Sequence, residues 1–166
     1  QSISRPFDAG RTGMVVGEGA GALLLEELDT AQRRGATPLA EVVGFGSSTV
    51  ISKSSVADRR TALANAMRQA LRSAKMEAGD VGQLNAHGLG TLQGDCQEAA
   101  AIQDVFGSRE VPVVAVKSAT GNTGAGCGAM EVISSVMALQ HGTLFPTQNY
   151  STSDPACPVS VVTDDC

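Results

Sequence analysis

Tryptophan is absent from these 166 residues, and only one tyrosine and four phenylalanines occur. A nucleic-acid reader draws on a basic stripe and usually on aromatic platforms. With few aromatics, scattered lysines and arginines and a formal net charge of -5, the chain has neither. No apolar run reaches the roughly 20 residues of a membrane span, and no basic start leads into an apolar signal core. A soluble chain of the reducing cytoplasm is therefore expected, with no membrane and no nucleic acid as partner. The four cysteines, Cys96, Cys127, Cys157 and Cys166, show no C-x-x-C spacing. Neither a metal site nor a disulfide framework is expected from that pattern.

What is present is a chain with 42% hydrophobic residues, enough to bury the core of one domain or of a large piece of one. Ala20 to Glu26 is a continuous apolar run ending in acids, as expected of a strand buried on both faces. Leu28 to Arg34 reads as a short helix stopped by Gly35, and Leu39 to Phe45 as the next strand. After a serine-rich loop, Leu63, Met67, Ala70, Leu71 and Ala74 recur at helical spacing. Val81 to Ala86 and Val111 to Val116 read as strands. A helix from Asp95 to the stop signal at Gly107 lies between them, and another, carrying Ala129, Val132, Ile133, Val136 and Met137, follows the glycine-rich turn Gly121 to Gly128. Val159 to Val162 is a last strand. Alternating strands and helices predict an α/β fold, with helices layered around a mixed, largely parallel sheet. Gln1 to Asp8 opens in mid-loop and Thr163 to Cys166 stops abruptly, which reads as an excised fragment.

In such a sheet the reactive side chains sit at the C-terminal ends of strands. Two segments qualify. Asn85-Ala86-His87-Gly88-Leu89-Gly90-Thr91 places an imidazole where a strand gives way to a loop loosened by glycine. A lone loop histidine is more often packed or solvated than catalytic, but here Gly88 and Gly90 leave room for a ligand and Thr91 supplies a hydroxyl. Lys117-Ser118-Ala119-Thr120-Gly121-Asn122 is the second strand end. Lys117 follows an apolar run and must be paired or exposed, with Glu98 as the expected partner. Asn122 can donate and accept hydrogen bonds without titrating, so it can polarise a carbonyl, cap a turn, or do both.

At these residues the chain resembles the β-ketoacyl synthases, condensing enzymes of fatty acid and polyketide synthesis with the thiolase fold. Arg5-Pro6-Phe7-Asp8, Arg11, Gly13 and Gly17-Glu18-Gly19-Ala20-Gly21 resemble the pattern leading out of the family's first half. Asn85-Ala86-His87-Gly88 through Asp95 and Glu98 resembles its first histidine motif, and Lys117-Ser118 with Thr120-Gly121 its lysine motif. The resemblance implies that residues 1–56 end the first thiolase-like half and that residues 57–166 form the C-terminal half, truncated before its last loop. It further implies decarboxylative condensation of an acyl thioester with malonyl carrier protein. His87, Asn122, Lys117 and Glu98 would be catalytic, and Thr91, Gly88 and Gly121 would bind substrate. No cofactor is implied beyond the phosphopantetheine arm of acyl carrier protein, and the full-length protein would be a homodimer or heterodimer.

Two positions depart from the elongating type. Asn122 stands where a second histidine is usual, in a Gly-Asn-Thr context resembling the initiating synthases, and Leu89 replaces a threonine. The family's nucleophilic cysteine belongs upstream of Gln1, so the isolated chain is expected to be inactive, and Cys127 reads as a packing residue at a helix start. Arg68, Arg72 and Lys75 offer a basic strip to an acidic carrier protein, although such a strip is more often a solvated face. Two other readings compete: a non-catalytic homologue such as a chain-length factor or scaffold, and a dinucleotide-binding domain suggested by Gly124-Ala125-Gly126-Cys127-Gly128-Ala129. The second lacks the acid that would hold a ribose.

Overall fold

The computed structural model describes residues 3–164; Gln1, Ser2, Asp165 and Cys166 lie outside them. At its centre are three short parallel strands in the order β1 (Leu84–Asn85), β2 (Pro112–Val114) and β3 (Ser160–Val161). Leu84 pairs with Val113 and Asn85 with Val114, while Val113 also pairs with Val161. β2 is central, and its Val113 and Val114 are both fully buried, which is why residues 111–116 form an unbroken apolar run rather than an alternating one. Both pairings among the described residues are parallel, in keeping with the largely parallel sheet expected.

Helices α2 (Arg59–Ala74) and α3 (Leu92–Phe106) pack against each other. Asp58 caps α2, accepting the Thr61 N–H at 3.0 Å and the Thr61 hydroxyl at 2.7 Å. α3 begins at Leu92, ahead of the expected Asp95, because Thr91 already has the extended backbone of a cap residue. It stops at Gly107, whose φ of 62° an L side chain rarely adopts. Its inner face adds Ala99, Ile102 and Phe106 to a core with Phe7, Ala86, Val111, Val113, Ala115 and Cys157.

Three further helices are present: α1 (Leu28–Arg33), the single turn α4 (Lys117–Thr120), and α5 (Cys127–His141). α1 and α5 are the expected helices, whereas α4 falls where a strand was expected to run directly into a glycine turn. The segment 124–129 consequently follows α4 and a tight turn, not a strand end as a dinucleotide fingerprint requires.

The expected strands at 20–26 and 39–45 are extended but form no ladder among the described residues. One face of each lies on a helix. A Cβ on Gly46 would come within 2.0 Å of the Ala66 carbonyl oxygen of α2, and one on Gly21 within 3.0 Å of the Ala129 side chain of α5. The other face is bare: Leu24 is 83% exposed and Phe45 79%. The α5 stripe is likewise only partly covered, with Val132 and Met137 exposed.

Candidate active site

β1 and β2 lie side by side, so their C-terminal ends deliver His87 and Lys117 to one place. Lys117, the first residue of α4, has only 2% of its surface exposed. Its ammonium donates to His87 Nδ1 at 3.2 Å and to the His87 carbonyl at 2.7 Å, and it forms an ion pair with Glu131 of α5. Burial, then the nearby Lys117 charge, holds the His87 imidazole below its usual pKa. The imidazole is therefore neutral at pH 7, with Nδ1 accepting from lysine and the proton on Nε2. That N–H is the free donor of a side chain that lines a cavity of about 190 Å³ together with Arg59, Leu63, Leu89 and Glu98.

Glu98 is not the partner of Lys117. Its carboxylate accepts the backbone N–H groups of His87 at 2.7 Å and Gly88 at 2.9 Å, fixing the loop that carries the imidazole. Burial pushes its carboxyl up to about 6, against those two N–H groups, which pull it down. The ion pair falls instead to Glu131, which sequence spacing did not single out. It lies one turn into α5, and only the packing of that helix beside β1 brings it to the lysine. Asn85 makes that packing specific, donating to the Glu131 carbonyl at 2.8 Å and the Ser134 hydroxyl at 2.8 Å.

Asp95 is fully buried and supports the same loop from below, accepting the N–H of Gly90 at 3.0 Å and of Phe7 at 2.9 Å. The glycines of the loop meet the chain itself. At Gly88, φ is 45° and a Cβ would lie 2.8 Å from the Ala115 side chain, so internal packing already requires glycine there. Gly121 packs in the same way, against the backbone of Val15 and Gly17. Thr91 is the cap residue of α3, and its carbonyl accepts from Arg11 Nε at 3.3 Å.

Asn122 sits past α4, where its backbone bridges the extended segment at Val16 through Asn122 N–H to Val15 at 2.7 Å and Gly17 N–H to Asn122 at 3.0 Å. Among the described residues no hydrogen bond joins it to His87; α4 links it to Lys117. Its side-chain oxygen accepts from the Gly124 N–H at 3.2 Å and from the Cys127 thiol at 3.0 Å. Both donors fix the amide so that its NH₂ end points away from the turn, towards Met14. The amide thus holds the turn with its oxygen and donates its NH₂ to Met14 Sδ, and Cys127 packs behind it as its orienting partner. All three residues of the basic strip are exposed, and Arg68 also donates to the Asp104 carbonyl at 2.6 Å.

A family model described as beta-ketoacyl synthase, C-terminal domain, matches residues 39–151. The tetracenomycin polyketide synthase ketoacyl synthase alpha subunit of Streptomyces glaucescens is 40% identical over 162 residues, 96% of this chain and 38% of that protein. Nodulation protein E of Rhizobium leguminosarum bv. trifolii is 43% identical over 163 residues, 95% of this chain and 39% of that protein. Among solved structures, the ishigamide ketosynthase/chain length factor superposes with a TM-score of 0.89 at 39% identity, over 98% of this chain and 40% of that one. A type II PKS acyl-carrier protein in complex with its ketosynthase bound to the hexaketide gives a TM-score of 0.89 at 31% identity, over 99% of this chain and 41% of that one. The chain thus spans about two fifths of the relatives it matches.

Proposed function

The chain belongs to the beta-ketoacyl synthase family, whose C-terminal domain and thiolase-like α/β fold it carries, and from that premise we propose that the whole protein condenses an acyl thioester with malonyl carrier protein. In the reaction the malonyl unit loses carbon dioxide, and negative charge gathers on its thioester oxygen. The resulting carbanion then attacks the acyl group held on a cysteine outside these 166 residues. His87 Nε2–H, backed by Lys117 on Nδ1, and the amide NH₂ of Asn122 are the donors to that oxygen. Neither needs to give up a proton, so both act electrostatically as the enolate forms. Glu98 positions His87 through the loop backbone, and Glu131 holds Lys117.

The observation that carries this reading is the contact of Lys117 Nζ with His87 Nδ1 at 3.2 Å, which leaves the imidazole one free, directed N–H. His87→Ala in the full-length protein is expected to lower malonyl carrier protein decarboxylation roughly 10²- to 10³-fold, the usual effect of removing one such donor. Equal turnover with His87→Ala would refute the reading, and full activity in Asn122→Ala would reduce that amide to a turn former. A second reading, a non-catalytic partner such as a chain-length factor, is favoured by Asn122 at the position of the second histidine. It is separated from the first by wild-type turnover, which it predicts to be nil.

The remaining assignments belong to the same proposal. Acyl carrier protein is the partner, presenting its substrates on a phosphopantetheine arm past Leu89 and Thr91, with Arg72 and Lys75 as the basic contacts. The full-length protein is a dimer, with residues 1–56 ending its first half and 57–166 belonging to its second. Among the described residues no helix is long and apolar enough to cross a membrane, and we place the reaction in the cytoplasm.

A further inference from the structure

Away from the histidine loop, two sulfurs face each other. The Cys157 thiol points at Cys96 Sγ across 3.7 Å, one on the loop before β3 and the other on the second turn of α3. Arg11 lies beside both. It is buried, ion-paired with Asp154 at 2.6 Å and Asp95 at 3.8 Å, and it donates from Nη2 to Cys96 Sγ at 3.2 Å. Cys157 also lines a cleft of about 440 Å³ with Asp154, Tyr150 and Arg109, and Cys96 is the more exposed of the two sulfurs.

Cys96, Asp154 and Cys157 are close enough together to suggest a cation site. The guanidinium argues otherwise, because it already holds the Asp154 carboxylate and Cys96 with the positive charge that a metal would have to displace. What the place does offer is two thiols facing each other, with Cys96 the more accessible of the two.

We propose that Cys96 and Cys157 form a reversible redox pair that closes to a disulfide when the protein meets a low-molecular-weight disulfide oxidant such as oxidised glutathione. The Cys96 thiolate attacks one sulfur of the oxidant, forming a mixed disulfide and expelling one thiolate, which takes up a proton. Cys157 then gives its proton to solvent and displaces the second thiol, closing the Cys96–Cys157 bond. The pair loses two electrons and two protons, and the oxidant becomes two thiols. The bond ties the start of α3, which carries Asp95 and Glu98, to the loop that carries Asp154. It requires the sulfurs to approach by less than their present separation, over side chains that already point at each other.

The inference is independent of the condensing activity and is tested without it. The full-length protein is exposed to oxidised glutathione, alkylated and mapped by mass spectrometry without reduction. A peptide pair joined through Cys96 and Cys157, two hydrogens lighter than its thiol form and released by dithiothreitol, is expected. It should be lost in both Cys96→Ser and Cys157→Ala, each checked for wild-type melting and circular dichroism so that misfolding is not mistaken for loss of the bond. If either variant misfolds, the other and the wild-type map still decide. Equal alkylation of both cysteines after oxidation, a glutathione adduct on Cys96 that never resolves, or a zinc ion retained stoichiometrically by the purified protein would each overturn the proposal.

Discussion

His87 owes its protonation state to its neighbours. Its folded pKa lies below the ordinary 6.5 through burial and the Lys117 charge. The unfolded chain therefore takes up that proton first, and the contribution of His87 to stability is lost as pH falls below about 6.5. Lys117→Met removes the cation and the donor to Nδ1 together. The imidazole should then titrate at higher pH in an NMR titration, and decarboxylation should slow by about two orders of magnitude as tautomer and orientation are lost. An unchanged His87 titration in that variant would show that the lysine does not tune the ring.

Glu98 titrates in the opposite sense. Its folded carboxyl sits at about 6 against an ordinary 4.5, so the folded state holds its proton more tightly. Stability from this group is complete below the ordinary value and is lost as pH rises towards 6, by about 2 kcal/mol across the window. Glu98→Gln should abolish that slope in urea unfolding curves measured from pH 4.5 to 7. It should also cost about 1–3 kcal/mol, because the amide can accept only one of the two loop N–H groups with its oxygen. Retention of the full slope would assign the titration to another group.

Among the elements, the helices were the most legible. The α2 and α3 stripes, the stop at Gly107 and the position of α5 all follow from spacing and a few end signals, because each is settled within about a turn. Pairing His87 with Lys117 was legible too, since two parallel strands must deliver their ends to one edge. The ion partner was not. Glu98 and Glu131 are both acids near Lys117 in sequence order, and choosing between them requires knowing that Asn85 docks α5 beside β1. The close packing around Gly88 and Gly121 was hidden for a similar reason, since a sequence does not show which other parts of the chain come close to a glycine.

The extended segments make the same point about strands. Their apolar pattern was read correctly as far as the extended conformation, but a ladder needs a partner strand, and none is present among the described residues. What does hold them is close contact with helices. Gly46→Ala would drive a Cβ to 2.0 Å from the Ala66 carbonyl oxygen, so the segment must lift off α2. The expected penalty in thermal or urea unfolding of the full-length protein is about 1–3 kcal/mol. A neutral result would mean that the segment adjusts freely.

For the molecule as a whole, an unusual number of large apolar side chains are exposed along the extended segments, at residues 16, 23–25, 39, 42, 43 and 45. We expect the missing length of the family's fold to cover it. Expressed alone, the 166 residues should aggregate or bind a hydrophobic dye strongly and should condense no acyl groups, while the full-length protein should form its dimer without aggregating and bind little dye. A monodisperse, dye-silent isolated chain in sedimentation and fluorescence measurements would contradict this.

The Arg11 and Asp8 contacts have a kinetic consequence. Asp8 accepts the N–H groups of Ser151 at 2.7 Å and Thr152 at 2.8 Å, and Asn149 reaches the Ser4 carbonyl at 3.1 Å. Residues 4–11 are thus stitched to residues 149–154, across almost the whole length of the chain. A growing polypeptide cannot make that seam until residues 149–154 have left the ribosome, so Phe7, whose ring lies in the core, waits for that later stretch to be made. The same seam means that a single protease cut in the exposed stretch around residues 53–55 would leave two pieces still clasped together.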